Sequence, residues 1–185
     1  ERSRTIESVV AECRLLVADG VREICLLGQN VNSYGRNIYG EPRFAELLRA
    51  VGETGIERIR FTSSNPKDLS DETIAAMAEV PAVMPHLHLA VQSGSTRVLK
   101  AMNRSYTRDE YLALVGRLRA AIPNIALSTD IIVGFPGETE EDFQDTLSLV
   151  REAGFSSAFT FIYSPRPGTP AAKMVDDTPH DVIQD

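Results

Sequence analysis

The sequence predicts an α/β fold in which parallel strands alternate with helices and form a partial β/α barrel. Strand-like apolar runs alternate with helix-spaced apolar residues at about one pair every 30 residues, the pattern of a parallel sheet wrapped by helices. Several strands also alternate between polar and apolar residues, whereas strands of an open sheet covered on both faces are apolar throughout. One polar and one apolar strand face therefore favour the barrel over an open doubly wound sheet.

The first half of the chain is predicted to contain three helices and three strands. The helices are predicted from apolar residues three or four positions apart, flanked by capping residues such as Gly20 and Ser70. In chain order the elements are a helix over residues 5–19, the strand Val21–Gly28, a helix from Phe44 to about Gly52, the strand Arg58–Thr62, a helix from Ser70 to Pro81, and the strand His86–Val91.

The second half continues the alternation. A capping box formed by Thr107 and Glu110 predicts the start of the longest helix. The elements are a short helix over about 95–102, the helix from Thr107 to Ile122, the strand Ala126–Val133, a helix from Thr139 to before Gly154, and the strand Ala158–Tyr163. Polar or glycine-containing loops follow the five strands: Gln29-Asn30, Ser63–Asn65, Gln92–Gly94, Gly134–Glu138 and Ser164–Thr169. In β/α folds these loops form the active site.

The strand at Ala126–Val133 carries a carboxylate, Asp130, among branched apolar residues. A buried carboxylate is costly unless it is paired or used, so Asp130 is predicted to accept hydrogen bonds from a ligand or to pair with Arg60, two roles that are compatible. The glycines of the following turn, Gly134 and Gly137, let the backbone approach a small ligand. Glu138 is interpreted as an acid at the N-terminus of the next helix.

Composition excludes several classes of protein. The net charge of −7 and pI of about 5.0 are not typical of a primary nucleic-acid binder. No apolar run reaches membrane-spanning length, and a cytoplasmic location fits. The two cysteines, Cys13 and Cys25, have neither disulfide nor zinc spacing and are predicted to be small buried residues. His88 is interpreted as an interior histidine, so no metal ligand is predicted.

Five motifs together resemble one family, the radical S-adenosylmethionine (radical SAM) methylthiotransferases. In chain order they are LLGQNVNSYG (Leu26–Gly35), HLHLAVQSGS (His86–Ser95), MNRSYT (Met102–Thr107), TDIIVGFPGET (Thr129–Thr139) and YSPRPGTPAA (Tyr163–Ala172). Within the family, the first and last motifs are most similar to those of the MiaB-type tRNA enzymes.

The resemblance implies an enzyme that adds a methylthio group to C2 of N6-isopentenyladenosine next to the tRNA anticodon. It also implies a β/α barrel that binds S-adenosylmethionine beside a [4Fe–4S] cluster held by a C-x3-C-x2-C loop. A second cluster in an N-terminal domain and a C-terminal TRAM domain that contacts tRNA are implied as well. Carried onto this sequence, the cofactor site is expected at Gln29, Asn30, Gln92, Ser93, Asp130, Gly134, Gly137, Glu138 and Arg166.

The chain also departs from the family pattern. It contains no C-x3-C-x2-C loop, and Asn65 and Ala90 replace a usual His and Pro. Residues 1–185 are therefore expected to be a barrel fragment that lacks the first strand, the cluster loop, the N-terminal domain and the TRAM domain. Such a fragment would hold no catalytic residue, would be inactive alone, and would leave an unpaired strand edge at Glu23–Leu27.

Two other functions remain open at this stage. One is a sister methylthiotransferase that acts on threonylcarbamoyladenosine in tRNA or on a ribosomal-protein aspartate. The other is a non-redox β/α module that binds a nucleotide or a small acid without chemistry. The sequence favours no oligomeric state.

Overall fold

The computed structural model describes residues 2–62 and 64–174, which form two compact units. Of the described residues, the first unit comprises those up to His88 together with Arg117–Ala126, and the second comprises Leu89–Gly116 and Leu127–Met174. Ser63, predicted in the loop after the second strand, lies outside the described residues.

The first unit contains a parallel two-stranded sheet and the helices that follow its strands. Its elements are α1 (Ile6–Ala18), β1 (Glu23–Leu26), the short helix α2 (Arg36–Tyr39), α3 (Phe44–Gly52), β2 (Arg58–Phe61), α4 (Asp71–Glu79) and β3 (His86–His88). β1 pairs with β2 in parallel, with Glu23 opposite Arg58 and Leu26 opposite Phe61. Single-turn 3-10 helices occupy Val31–Ser33 and Pro66–Asp68.

Helices α3 and α4 supply much of the apolar core of the first unit. The inward residues of α3 recur every three or four positions, and Leu48 and Val51 are fully buried. The ring of Phe44 meets that of Phe61 edge-on at 5.0 Å, which joins α3 to β2. This contact packs α3 against β2 in the core of the first unit.

The second unit is built around β4 (Ala126–Val133), which lies between residues 89–92 and β5 (Ser157–Ile162). The Leu89 amide donates to the Ser128 carbonyl at 2.8 Å, and β4 pairs with β5 in parallel over six residues. The helices are α5 (Thr96–Ala101), α7 (Glu140–Ala153) and the first part of α6 (Arg108–Ala121).

Tyr111 of α6 anchors the core of the second unit. Its side chain is 1% exposed, and its hydroxyl donates to the Leu89 carbonyl at 2.7 Å. Burial raises the pKa of Tyr111, so the phenol remains a neutral donor. Thr129 of β4 donates to the same carbonyl at 2.9 Å and accepts the Val91 amide. These bonds hold residues 89–91 in register beside β4.

The predicted α/β class with parallel strands is confirmed, and so is the alternation along the third strand. Leu87, Leu89 and Val91 are fully buried, whereas His86 and His88 are half-buried. Burial, followed by the charges of neighbouring Arg60 and His88, lowers the pKa of His86, which favours the neutral imidazole.

Two details of the sequence prediction are wrong. The loop after β1 contains the helix α2, flanked by Gly35 and Gly40 in left-handed backbone conformations. Cys25 is exposed rather than buried, because it lies on the strand face opposite the half-buried Ile24 and Leu26. Among the described residues, β1 pairs with β2 alone. The expected open edge at Glu23–Leu27 is therefore present in the described structure. In those same residues, no helix is long and apolar enough to cross a membrane.

Candidate functional site

The loop after β1 holds the first two predicted site residues, Gln29 and Asn30. Gln29 is exposed and Asn30 is half-buried, and both line a cavity of about 600 Å³ in the first unit. The Asn30 side-chain amide donates to the Asp68 carboxylate at 2.6 Å, which fixes the amide's orientation. Its Oδ1 is buried without a hydrogen-bond partner and is therefore available to a ligand donor.

The same cavity extends along α1 and the open edge of β1. Apolar residues line most of it, including Val9, Leu16 and Ile24, and both cysteines contribute to its wall. A cavity of this size with a few convergent polar groups is typical of a small-molecule site.

Asn32 is a buried polar residue that sequence reasoning missed. It is 3% exposed, and its amide donates to Ser64 Oγ at 2.9 Å and to the Asn65 carbonyl at 3.1 Å. Asn65 itself caps the next turn by accepting the Lys67 amide at 3.1 Å. Asn32 thus joins the loops that follow β1 and β2. A second Asn within a polar loop was the only available signal.

In the second unit, Gln92 has a strained backbone. Its φ of 72° lies in the left-handed region that non-glycine residues rarely adopt. Two backbone hydrogen bonds to β4 nevertheless fix this conformation. The Gln92 amide donates to the Asp130 carbonyl at 2.9 Å, and the Gln92 carbonyl accepts the Ile132 amide at 2.8 Å. Backbone strain of this kind clusters at functional sites, which supports a role for the Gln92 loop.

Ser93 and Gly94 pack directly against helix α7. The Ser93 hydroxyl lies 3.4 Å from the Thr146 hydroxyl and accepts the Ser95 amide at 3.2 Å. The Gly94 amide donates to Thr146 Oγ1 at 2.9 Å, and a Cβ on Gly94 would lie 2.4 Å from the Thr146 Cα. The Ser93 hydroxyl thus makes contacts within the protein, and a role for this residue in ligand binding stays a prediction.

Asp130 lies in the middle of β4 and is half-buried, opposite Phe159 of β5. Its carbonyl accepts the Gln92 amide, so the strand segment that carries the carboxylate is fixed beside the Gln92 loop. Arg60, its alternative predicted partner, belongs to the first unit, and that pairing stays a prediction.

The turn Gly134–Glu138 follows β4 and is closed by its own carboxylate. Gly134 and Gly137 have φ values of 68° and 78°, a conformation that favours glycine. Glu138 Oε2 accepts the Gly134 amide at 2.6 Å and the Phe135 amide at 3.3 Å. Phe135 in turn packs edge-on against Tyr163 at 5.0 Å. The Glu138 carboxylate therefore stabilises the turn, and Phe135 packs the turn against the residue that follows β5.

The interpretation of Glu138 as an acid at the start of the next helix is wrong. Helix α7 begins at Glu140 with Thr139 as its N-cap, so Glu138 precedes the cap and folds back into the turn. Burial raises the pKa of Glu138 above its ordinary value, although the two backbone donors oppose the shift. Its Oε1 is buried without a partner, which leaves one acceptor for a ligand.

Arg97 and Asp142 support the outside of this turn, and sequence reasoning missed both. Arg97 of α5 donates to the Gly137 carbonyl at 2.6 Å and pairs with the Asp142 carboxylate of α7. Burial raises the pKa of Asp142, but hydrogen bonds from Arg97, Ser95 and Thr139 outweigh it and lower the pKa well below its usual range. A Thr followed three residues later by an acid is the capping-box pattern that could have identified Asp142.

Arg166 lies in the segment after β5 and is exposed. Its carbonyl accepts the Thr169 amide at 3.2 Å and the Thr169 hydroxyl at 2.8 Å, which forms a local turn. The guanidinium is therefore presented on a short ordered loop, and its predicted contact with a ligand stays a prediction.

The predicted site residues thus fall into two sets. The structure brings Gln29 and Asn30 together in the first unit. In the second unit the Gln92 loop lies beside Asp130 in the middle of β4, the Gly134–Glu138 turn follows the carboxyl end of that strand, and Arg166 follows β5. Within residues 2–62 and 64–174, no group of three or more His, Cys, Asp or Glu side chains could hold a metal ion.

Comparisons with known proteins agree with the predicted family. Residues 1–150 match the family model described as the Radical SAM superfamily. The chain is 59% identical over 186 residues to the tRNA-2-methylthio-N(6)-dimethylallyladenosine synthase of Streptomyces viridosporus, covering 100% of this chain and 37% of that protein. It is 59% identical over 183 residues to the protein of the same name from Clostridium novyi, covering 98% and 40%.

A solved structure shows the same fold. The radical S-adenosylmethionine methyltransferase TsrM from Kitasatospora setae, with cobalamin and a [4Fe–4S] cluster bound, superimposes with a TM-score of 0.70 at 19% identity. The match covers 91% of this chain and 33% of that one, and at this identity it shows the fold alone. The predicted radical SAM type of α/β fold is thereby confirmed. The chain spans about two fifths of the curated relatives that it matches.

Proposed function

Because this chain belongs to the radical SAM superfamily, we propose that it is part of a tRNA methylthiotransferase acting on N6-isopentenyladenosine, also named N6-dimethylallyladenosine. The reaction replaces the C2 hydrogen of the base with a methylthio group. One observation carries the proposal: relatives with this activity in their names are 59% identical over 98% or more of this chain. The motifs around Gln29 and Arg166, which resemble those of the MiaB-type enzymes, support it.

The residues of this chain fit S-adenosylmethionine. That cofactor carries an ammonium group, ribose hydroxyls and an exocyclic amine, all of which donate hydrogen bonds. Asn30 Oδ1 and Glu138 Oε1 are buried acceptors that have no partner in the described structure. A Cβ on Gly137 would meet nothing within 4 Å, so the turn offers open space next to its backbone. In the second unit, the Glu138 acceptor and the open space beside Gly137 suit a cationic donor-rich ligand.

The residues of this chain do not fit an iron–sulfur cluster. Such clusters are held mainly by several cysteine thiolates, and this sequence contains two cysteines, one buried on α1 and one on β1. We propose that the cluster ligands, the N-terminal methylthiotransferase domain and the TRAM domain belong to parts of the protein outside this chain. The share of the relatives that the chain covers, 37% and 40%, supports this division.

The proposed mechanism assigns binding and orientation to this chain. In radical SAM enzymes, S-adenosylmethionine bound at a cluster supplies the radical that removes a hydrogen atom. The Gly134–Glu138 turn would bind the cofactor by backbone contact, and Asp130 and Glu138 of the same unit would accept its hydrogen bonds. Arg166 would bind the methionine carboxylate or an RNA phosphate. We assign no proton transfer to these residues, and we place the tRNA substrate and the reaction in the cytoplasm.

The full-length protein provides the test. After anaerobic reconstitution it should convert tRNA that bears N6-isopentenyladenosine into the 2-methylthio product, as seen by mass spectrometry of the digested nucleosides. tRNA bearing threonylcarbamoyladenosine and the aspartate of a ribosomal protein serve as competing substrates. Modification of either in preference to isopentenyladenosine would contradict the proposal in favour of a sister enzyme. Failure to bind S-adenosylmethionine would contradict the whole assignment.

A further inference from the structure

We propose that Arg97 and Asp142 are positioning residues that hold the Gly134–Glu138 turn in the shape that binds S-adenosylmethionine. Neither residue is among the predicted cofactor contacts, and both would act through the turn. The inference rests on the proposed function, because it gives the turn its ligand.

Arg97 makes the first connection. Its terminal nitrogen donates to the Gly137 carbonyl at 2.6 Å and to the Asp142 carboxylate. One guanidinium therefore bonds both to the backbone of the turn and to the helix that follows it. Arg97 Nε also donates to Asp142 Oδ1 at 3.3 Å, so the planar guanidinium contacts both carboxylate oxygens in a rigid geometry that a lysine ammonium does not reproduce.

Asp142 makes the second connection, to the Gln92–Ser95 loop. Its Oδ1 accepts the Ser95 hydroxyl at 2.6 Å, and its Oδ2 accepts the Thr139 amide at 2.9 Å and the Thr139 hydroxyl at 2.7 Å. Its side chain is only 8% exposed. A buried carboxylate with this many donors is a strong fixed point, because charge-assisted hydrogen bonds are about twice as strong as neutral ones.

Two independent contacts join the same loop to α7. The Gly94 amide donates to Thr146 Oγ1 at 2.9 Å, and the Ser93 hydroxyl lies 3.4 Å from that oxygen. The first two turns of α7 thus hold the Ser93–Ser95 backbone on one side and the Gly134–Glu138 turn, through Arg97, on the other. Both segments follow strands that end at the same edge of the sheet, where predicted cofactor residues lie.

Electrostatics links Arg97 to the carboxylate inside the turn. After burial and the two backbone donors, the charge of Asp142 raises the pKa of Glu138 and the charge of Arg97 lowers it. Removal of Arg97 leaves Glu138 facing Asp142 without the compensating cation. Glu138 would then protonate more readily and become a weaker acceptor for the Gly134 and Phe135 amides.

The geometry is unusual for an exposed arginine. The Arg97 side chain is 59% exposed, and most exposed ion pairs contribute little because ordering two long side chains costs entropy. Here one partner is already buried and fixed, so Arg97 alone must be ordered. That asymmetry suits a residue that fastens a loop.

The test uses the full-length protein and the variants R97M and R97K, with E152Q as the matched control. Glu152 pairs with Arg108 at 3.0 Å near the other end of the same helix and makes no hydrogen bond or ion pair with the turn in the described structure. The readouts are the dissociation constant for S-adenosylmethionine, hydrogen exchange of the Gly134 and Phe135 amides, and the denaturant midpoint of unfolding.

We expect R97M to weaken S-adenosylmethionine binding by roughly tenfold and to speed exchange of both amides by a similar factor, as loss of a charge-assisted bond predicts. R97K should recover part of both effects. The loss of S-adenosylmethionine affinity in R97M, relative to wild type, should grow as the pH falls toward the raised pKa of Glu138. E152Q should leave affinity and exchange unchanged. R97M should lower the unfolding midpoint somewhat more than E152Q does, because it removes the cation from the buried Asp142 carboxylate, while amide exchange outside the turn should stay at the wild-type rate.

Unchanged affinity and exchange in R97M would overturn the inference. A fall in its unfolding midpoint well beyond that of E152Q, with faster exchange throughout the second unit, would also overturn it, because the role would then be general stability. Failure of the wild-type protein to bind S-adenosylmethionine would instead contradict the proposed function. Hydrogen exchange of the Gly134 and Phe135 amides would still show whether Arg97 stabilises the turn.

Discussion

Glu138 is the residue whose protonation should be visible in stability. Because burial raises its pKa, the folded protein binds this proton more readily than the unfolded chain. Its contribution is fully present below the ordinary carboxyl range and is lost as the pH rises through the raised pKa. We expect E138Q, which keeps an amide oxygen for the Gly134 amide but has no charge, to remove that pH dependence.

The measurement is the free energy of unfolding of wild type and E138Q across about pH 4 to pH 8, a range that brackets a raised carboxyl pKa. The contribution of Asp142 to the free energy of unfolding changes with pH in the opposite direction, because its lowered pKa means that the contribution is lost as the pH falls. The difference between the two proteins isolates Glu138. A difference that is constant with pH would contradict the assignment.

Gly94 and Gly116 provide a matched pair of glycine substitutions in the second unit. A Cβ on Gly94 would lie 2.4 Å from the Thr146 Cα and 2.5 Å from the Asp145 carbonyl, and backbone atoms cannot yield cheaply. Gly116 lies inside helix α6 with open space around it. We expect G94A to destabilise by about 1–3 kcal/mol and G116A to stabilise by about 0.5–1 kcal/mol.

Urea unfolding of the two variants checks this prediction. The Gly94 substitution should also weaken S-adenosylmethionine binding, because it pushes the Ser93–Ser95 backbone away from α7. Equal stability of G94A and wild type would show that the loop and the helix separate readily, contrary to the close approach in the structure.

At the scale of elements, the start of α7 carries more interactions than an ordinary helix cap. Thr139 accepts the Asp142 amide while Asp142 accepts the Thr139 amide, and the Thr139 hydroxyl also donates to that carboxylate. Thr5 caps α1 with a single bond to the Ser8 amide. We expect T5A to cost about 1 kcal/mol and T139A about 2 kcal/mol.

Both threonines are exposed, so loss of buried apolar area does not explain a difference between the variants. Chemical unfolding of T5A and T139A gives the comparison. Amide exchange in the first turn of α7 should rise only in T139A. A T139A effect no larger than that of T5A would mean that the capping box adds nothing beyond a single cap.

Periodicity predicted the long elements but not their connections. The strand Ala126–Val133 and the start of α7 after Thr139 agree with the structure, because apolar spacing and capping residues are local signals. The short helix α2 was missed because four residues between two glycines are too few to show a period. The sequence interpretation of Glu138 was wrong, and the role of Arg97 was missed, because both roles depend on partners that only folding brings near.

At the scale of the whole molecule, the two cysteines predict that this 185-residue chain holds no iron–sulfur cluster. Cys13 is buried and burial raises the pKa of its thiol, which disfavours the thiolate that binds iron. Anaerobic incubation of the isolated chain with iron and sulfide should therefore give no visible cluster absorbance. The full-length protein, treated identically, is the control, and a stable cluster in the isolated chain would contradict the prediction.

The open edge of β1 leads to a prediction about association of the isolated chain. β1 pairs with β2 alone in the described structure, and Leu27 at its end is 77% exposed. Unpaired strand edges with apolar side chains promote pairing between chains, and a lysine on such an edge opposes it. We therefore expect the isolated chain to self-associate as its concentration rises and L27K to reduce this association.

Sedimentation velocity over a concentration series measures the effect, with L15K as the matched control. Leu15 is 68% exposed but lies on α1 rather than on a strand edge, so the two variants remove similar apolar surface and add the same charge. If edge pairing drives association, L27K should lower it and L15K should change it much less. Equal effects would indicate that general apolar contact, rather than strand pairing at β1, joins the chains.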